Sequence, residues 1–97
     1  MKAMEKERLR TLSGILKAMS HPTRLWMVEE LSRKERCVRE FVKDSHLDFS
    51  TVSRHLSVLK QTGIIEDEKR GKNVYYHLHA SCAMTVIHCL EDYMKER

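Results

Sequence analysis

The sequence has little that interrupts a chain. One proline and three glycines in 97 residues leave few obligatory turns, so helix should dominate. Cysteine is scarce and odd in number, three in all, which excludes a disulfide framework and makes a reducing cytoplasm the expected compartment. No apolar run approaches the roughly 18 residues that a membrane span needs. The first ten residues, MKAMEKERLR, are charged and carry no apolar signal-peptide core. A glycine-rich phosphate loop, a nucleophile motif and a paired-acid motif are all missing, so no enzyme is expected.

What the sequence does have is charge. Charged residues make up 33% of the chain, and Lys+Arg 18 against Asp+Glu 14 leaves +4. That balance permits a polyanionic partner without demanding one. With 41% hydrophobic residues the composition is globular. The length suits one domain over residues 1–97, burying about 60–70% of its unfolded surface.

Leu9, Leu12, Leu16 and Met19, with Ile15 beside them, follow a helical period and predict a first helix from about Met4 to Met19. Pro22 is suited to the first position of a second helix, where its missing N–H costs nothing. Leu25, Met27, Val28 and Leu31 give that helix its apolar stripe, and Trp26 falls off it. A short third helix buries Val38, Phe41 and Val42. His46 to Phe49 reads as a turn, after which Ser50 is placed to cap a fourth helix running to about Thr62 and closed by Gly63. Two short helices around a tight turn read as a helix-turn-helix. Ile64–Lys69 and Val74–Leu78 flank Arg70-Gly71-Lys72-Asn73 and predict a β-hairpin with a basic tip. A last helix from about Ala80 to Lys95 carries Val86, Ile87, Leu90, Tyr93 and Met94 on one side. The order α-α-α-α-β-β-α is that of a winged helix with an extra helix at each end, mainly α with a small hairpin.

On a helical wheel of the fourth helix, Val52, Leu56 and Leu59 face the core with His55 at their margin. The opposite face collects Ser50, Thr51, Arg54, Ser57 and Gln61, with no acid among them. Short hydroxyls allow close approach to a major groove, and Arg can read guanine there. With Ser53 and His55 from the same helix, and Arg70 and Lys72 from the hairpin tip, these are the candidate DNA-binding residues; Lys69, Arg70 and Lys72 together would make phosphate or minor-groove contacts. The competing readings are a solvated helix face and a solvated charged turn. Glu66, Asp67 and Glu68 dilute the positive charge before the tip. Phe49 either touches a thymine methyl or plugs the turn.

The stretches LKAMSHPTRLWMVEEL and STVSRHLSVLKQTGIIEDEKRGKNVYYHL, with the terminal helix, resemble the ArsR/SmtB family of metal- and stress-sensing repressors. The most specific pieces are His21-Pro22-Thr23-Arg24, Val52-Ser53-Arg54-His55-Leu56 and Gly71 to Tyr76. The resemblance covers about Leu9 to Met94. It implies a homodimer pairing through the first and last helices, bound to an inverted-repeat operator in double-stranded DNA and released by an effector. The terminal helices agree, since they carry more apolar residues than one small core needs. The family often has Ser and Gln before the recognition helix, where this chain has Asp48 and Phe49.

Three candidate effector sites compete with the tendency of a free Cys to act as a small buried hydrophobe. Arsenic- and cadmium-sensing relatives cluster two or three thiolates at the third helix, whereas here Cys37 is followed by Arg39 and Val42. The zinc site of the last helix would fall on Ala80, Cys82, Tyr93 and Glu96, which is not a zinc donor set. Cys82 and Cys89 stand two turns apart on one face, with His79 and His88 nearby. In a dimer they would gather four thiols for As(III) or another thiophilic ion, with Cys37 as a further ligand. Spaced about 10 Å apart along the helix axis, they need a partner-chain thiol, Cys37 or a local distortion to share one ion. A redox or persulfide switch, inert packing, and a winged helix used only to bind protein are the alternatives.

Overall fold

The computed structural model describes residues 1–97. Its elements run α1 (Ala3–Met19), α2 (Pro22–Arg33), β1 (Arg36–Cys37), α3 (Val38–Ser45), α4 (Phe49–Gln61), β2 (Ile65–Arg70), β3 (Asn73–Leu78) and α5 (Cys82–Glu96). Pro22 is indeed the first residue of α2, and the imidazole of His21 caps that helix, its Nδ1 accepting from the Thr23 N–H at 3.1 Å. Beyond the C-terminal end of α4, Gly63 takes φ 82°, a left-handed conformation that costs glycine nothing.

Two expectations need correction. Ser50 does not cap α4. Asp48 does, its Oδ1 accepting from the Thr51 N–H at 2.7 Å, so the helix begins at Phe49. A carboxylate satisfies an orphan N–H and also interacts favourably with the positive end of the helix dipole. The hairpin is also not alone. Arg36 and Cys37 pair with Tyr76 and Tyr75, giving a three-stranded antiparallel sheet in the order β1-β3-β2. A two-residue strand carries too little periodicity to be seen in sequence; it forms because its partner strand is already in place. The hairpin register pairs Ile65 with Leu78 through to Arg70 with Asn73, leaving Gly71 and Lys72 as the turn, with Gly71 at φ 62°.

The core lies between α2, α3, α4 and the sheet. Met27, Val28, Phe41, Val52, Leu56, Leu59 and Ile65 are fully buried there. Trp26 packs edge-on against Phe41 at 5.6 Å between ring centroids, an arrangement that adds about 0.5–1.5 kcal/mol beyond area burial. Arg36 ties the elements together, bonding Glu30 at 3.2 Å and Asp44 at 3.1 Å.

The terminal helices are packed differently. Of α1 only Ala18 and Met19 are buried, and of α5 only Ala83 and Ile87. Leu9, Leu12, Leu16, Leu90 and Tyr93 remain between 39% and 60% exposed. Leu25, expected on the buried stripe of α2, is 37% exposed, because it faces an open groove that it lines with Leu16, Met19, Val86, Ile87 and Leu90. The radius of gyration is 14.8 Å, against about 12–13 Å for a compact chain of this length. The excess is the expected consequence of a long helix anchored only at its C-terminal end.

Candidate nucleic-acid interface

α4 stands on the core through Val52, Leu56 and Leu59, and this fixes what it shows to solvent. Ser50, Arg54, Ser57 and Gln61 are exposed in one stripe, while Thr51 and Ser53 are half-buried at its edges. Arg54 takes part in no ion pair, and neither do Arg39 and Lys72. The one acid at this end, Asp48, is occupied. Hydrogen bonds from Thr51, followed by one from Ser50 and the charge of Arg54, hold its carboxyl below the ordinary 3.8.

His55 is not part of the exposed face. It is 9% exposed, its ring 4.5 Å from that of His21 and its Nδ1 3.1 Å from Nη1 of Arg24. A guanidinium is only a donor, so Nδ1 accepts and the imidazole proton sits on Nε2. Burial first, then the neighbouring His21 ring and the charges of Arg24 and Arg54, push the His55 pKa below 6.5. Arg24 also donates from Nε to the Ala18 carbonyl at 2.6 Å. One guanidinium thus joins the end of α1 to α4 through α2. His55 thus lies off the exposed stripe, packed between α4 and the start of α2.

The wing cations differ in their partners. Arg70 is gripped in a bidentate pair by Glu35, bonded to Glu68 at 3.1 Å, and lies over the Tyr75 ring at 5.1 Å. These partners raise its pKa, the Glu35 hydrogen bond most of all. Its role in the structure is to latch the hairpin to the segment before β1, so Lys69 and Lys72 are the wing cations left unpaired. Arg39, absent from the expected set, and Phe49, whose two readings are a thymine contact and a plug of the turn, join them. The pairing of β1 with β3 brings Arg39, at the start of α3, to the same cleft as Lys72. Phe49 lines that cleft and is 60% exposed, so it does not plug the turn. An arginine two residues past a two-residue strand gives no sequence signal of this placement.

The thiols do not converge. Cys37 is half-buried at the start of α3, while Cys82 and Cys89 are exposed on α5. No three His, Cys, Asp or Glu side chains are placed to hold a metal ion. The neighbouring histidines are engaged with acids, His79 with Glu66 at 3.3 Å and His88 with Glu91 at 3.4 Å. The donor set within one chain therefore does not fit As(III) or a similar ion. No helix is long and apolar enough to cross a membrane.

Comparison with known proteins agrees with this architecture. The family described as "Bacterial regulatory protein, arsR family" matches residues 21–67, which hold α2 to α4 and the start of the wing. The HTH-type transcriptional repressor SmtB of Mycobacterium tuberculosis is 36% identical over 73 residues, covering 75% of this chain and 54% of that protein. The chain thus spans about half the length of that relative. The biofilm growth-associated repressor of Xylella fastidiosa is 33% identical over 87 residues, covering 90% of this chain and 75% of that protein. The homodimeric winged helix-turn-helix DNA-binding domain of Mb0332 from Mycobacterium bovis superposes with a TM-score of 0.85 at 21% identity, over 99% of this chain and 89% of that one. That likeness establishes the winged helix-turn-helix fold.

Proposed function

The chain belongs to the ArsR family of transcriptional regulators, and from that premise we propose that it is a homodimeric, sequence-specific DNA-binding repressor built as one winged-helix unit. The observation that carries the reading is the exposed, acid-free stripe Ser50–Arg54–Ser57–Gln61 on α4. A recognition helix places such side chains against base edges, with Arg54 suited to the O6 and N7 acceptors of guanine. Lys72, Lys69 and Arg39 add phosphate contacts, which set position rather than sequence. Arg70 supports the wing from behind.

Dimerisation is supported by the exposed apolar faces of α1 and α5. A two-fold axis through these helices presents two copies of α4 to two half-sites, which is why the operator is expected to be an inverted repeat. Release follows from any change at the terminal helices that alters the spacing between the two recognition helices. A coupling of about 1–3 kcal/mol between the two sites is the usual scale.

Binding of the fully reduced chain to duplexes enriched from a random-sequence pool tests the reading by fluorescence anisotropy. The expected result is an enriched inverted repeat whose affinity falls steeply with salt. Arg54→Ala should weaken that repeat about 10- to 100-fold and relax specificity at one position. Enrichment of no sequence, or a flat salt dependence, would instead favour a winged helix that binds protein.

One observation favours a thiol-based effector. Cys82 and Cys89 lie on the same exposed face of α5 as Val86 and Tyr93, so a dimer contact through that face would bring thiols of two chains together. Arsenite added to the same titration is the check. Release lost in Cys82→Ser and Cys89→Ser supports a thiophilic effector; binding that ignores arsenite leaves oxidants, persulfides or no ligand.

A further inference from the structure

Most of the exposed polar face of α4 has an obvious use on DNA, but its first residue is apolar. Phe49 is 60% exposed at the N-terminus of α4, where recognition helices present side chains to base edges. It lines a cleft of about 260 Å³ together with the half-buried Cys37, Val38, Asn73 and Val74 and with two exposed cations at its edge, Arg39 and Lys72.

The composition of that cleft identifies its occupant. Its two rim cations are exposed and free of carboxylate partners, so whatever lies across it should be anionic. The occupant must also offer an apolar group to Phe49. A protein partner would have to combine acidic and apolar groups at this one spacing. A DNA strand supplies both together, with phosphates on the outside and, in the major groove, the C5-methyl of thymine as the one apolar group on the base edges. The Asp48 cap fixes the helix start beneath Phe49 through its 2.7 Å bond to Thr51, so the ring is carried by ordered backbone.

We propose that Phe49 reads thymine by packing on its C5-methyl while Arg39 and Lys72 hold the flanking phosphates, specifying one T in each operator half-site. This rests on the repressor reading above. It assigns sequence information to a residue at the helix start and phosphate binding to an arginine outside α4.

The experiment replaces each thymine of the enriched duplex, one position at a time, with deoxyuridine, which lacks only the methyl. Wild-type chain should lose about fourfold in affinity at one thymine per half-site, the scale of one buried methyl group, and nothing at the others. Phe49→Ala should bind the thymine and deoxyuridine duplexes equally while still depending on Arg54. Phe49→Leu should keep part of the methyl preference. Because the side chain is exposed, both variants should melt like wild type. If wild type binds its enriched duplex but ignores deoxyuridine at every position, Phe49 reads no methyl and the repressor function stands. The methyl contact is equally overturned if Phe49→Ala keeps the full deoxyuridine penalty. If no duplex is enriched at all, the repressor reading itself fails and takes this one with it.

Discussion

α4 and α5 are of similar length, 13 and 15 residues, and both are amphipathic, yet the chain treats their apolar faces in opposite ways. α4 sinks Val52, Leu56 and Leu59 completely into the core, whereas α5 buries Ala83 and Ile87 and leaves Leu90, Tyr93 and Met94 at 57–61% exposure. The difference lies in what stands opposite. α4 meets α2, α3 and the sheet of its own chain. α5 packs on α2 and shares an open groove with the end of α1, and beyond that meets solvent. A single chain thus completes the core around α4 and leaves its terminal helices unfinished. The head around α4 has the rigid support a reading surface needs, and the ends have the exposed apolar area that an obligate partner would cover.

The comparison is broken most sharply at the exposed end. Leu90→Glu should leave the fold of one chain intact, since the side chain is 57% exposed, but separate the dimer in analytical ultracentrifugation. Affinity for the full inverted repeat should then fall about 10²- to 10⁴-fold while half-site affinity is unchanged, because two linked contacts become one. The head should respond in the opposite way. Phe41→Ala empties a fully buried site against Trp26 and should cost about 3–5 kcal/mol in urea unfolding, with binding lost through unfolding and not through dissociation.

Smaller effects sharpen the contrast within the head itself. Lys72→Ala should lower the salt slope of operator binding by about one unit for each half-site and leave sequence preference untouched. Arg70→Ala should act through loss of the wing's latch to Glu35, so hydrogen exchange in β2 and β3 should rise.

The smallest effect is a pH dependence. The His55 pKa is depressed below 6.5 by burial and its neighbours, so the unfolded chain binds more protons than the folded one just below that value. Its contribution to stability is present above pH 6.5 and is lost as the pH falls through the depressed value. Beside burial, the neighbours His21, Arg24 and Arg54 all act in this same direction, and no carboxylate compensates. His55→Asn should flatten that part of a melting-temperature profile.

Arg24 connects the two regions. By bonding the Ala18 carbonyl with Nε and His55 with Nη1, it ties the anchored end of α1 to α4.

The sequence by itself determined the order of elements. Apolar spacing at 3.6 in α1, α2, α4 and α5, Pro22 at a helix start, Gly63 and Gly71 where φ turns positive, and the strand-forming Val74-Tyr75-Tyr76 are local preferences that act over a few residues. They suffice to show the winged helix and the outward stripe of α4. The tertiary structure decided which polar residues of that region are free. His55 lies one position from Arg54 yet is buried, because the His21 ring and Arg24 close over it from a different helix. Arg70 reads as a free cation in the sequence, but the fold places Glu35, 35 residues earlier, within reach of its guanidinium. Phe49 and Arg39 share a cleft only because β1 joins the sheet beside β3. Each of these depends on a contact between segments far apart in the chain, and a local sequence pattern carries no information about which distant partner arrives.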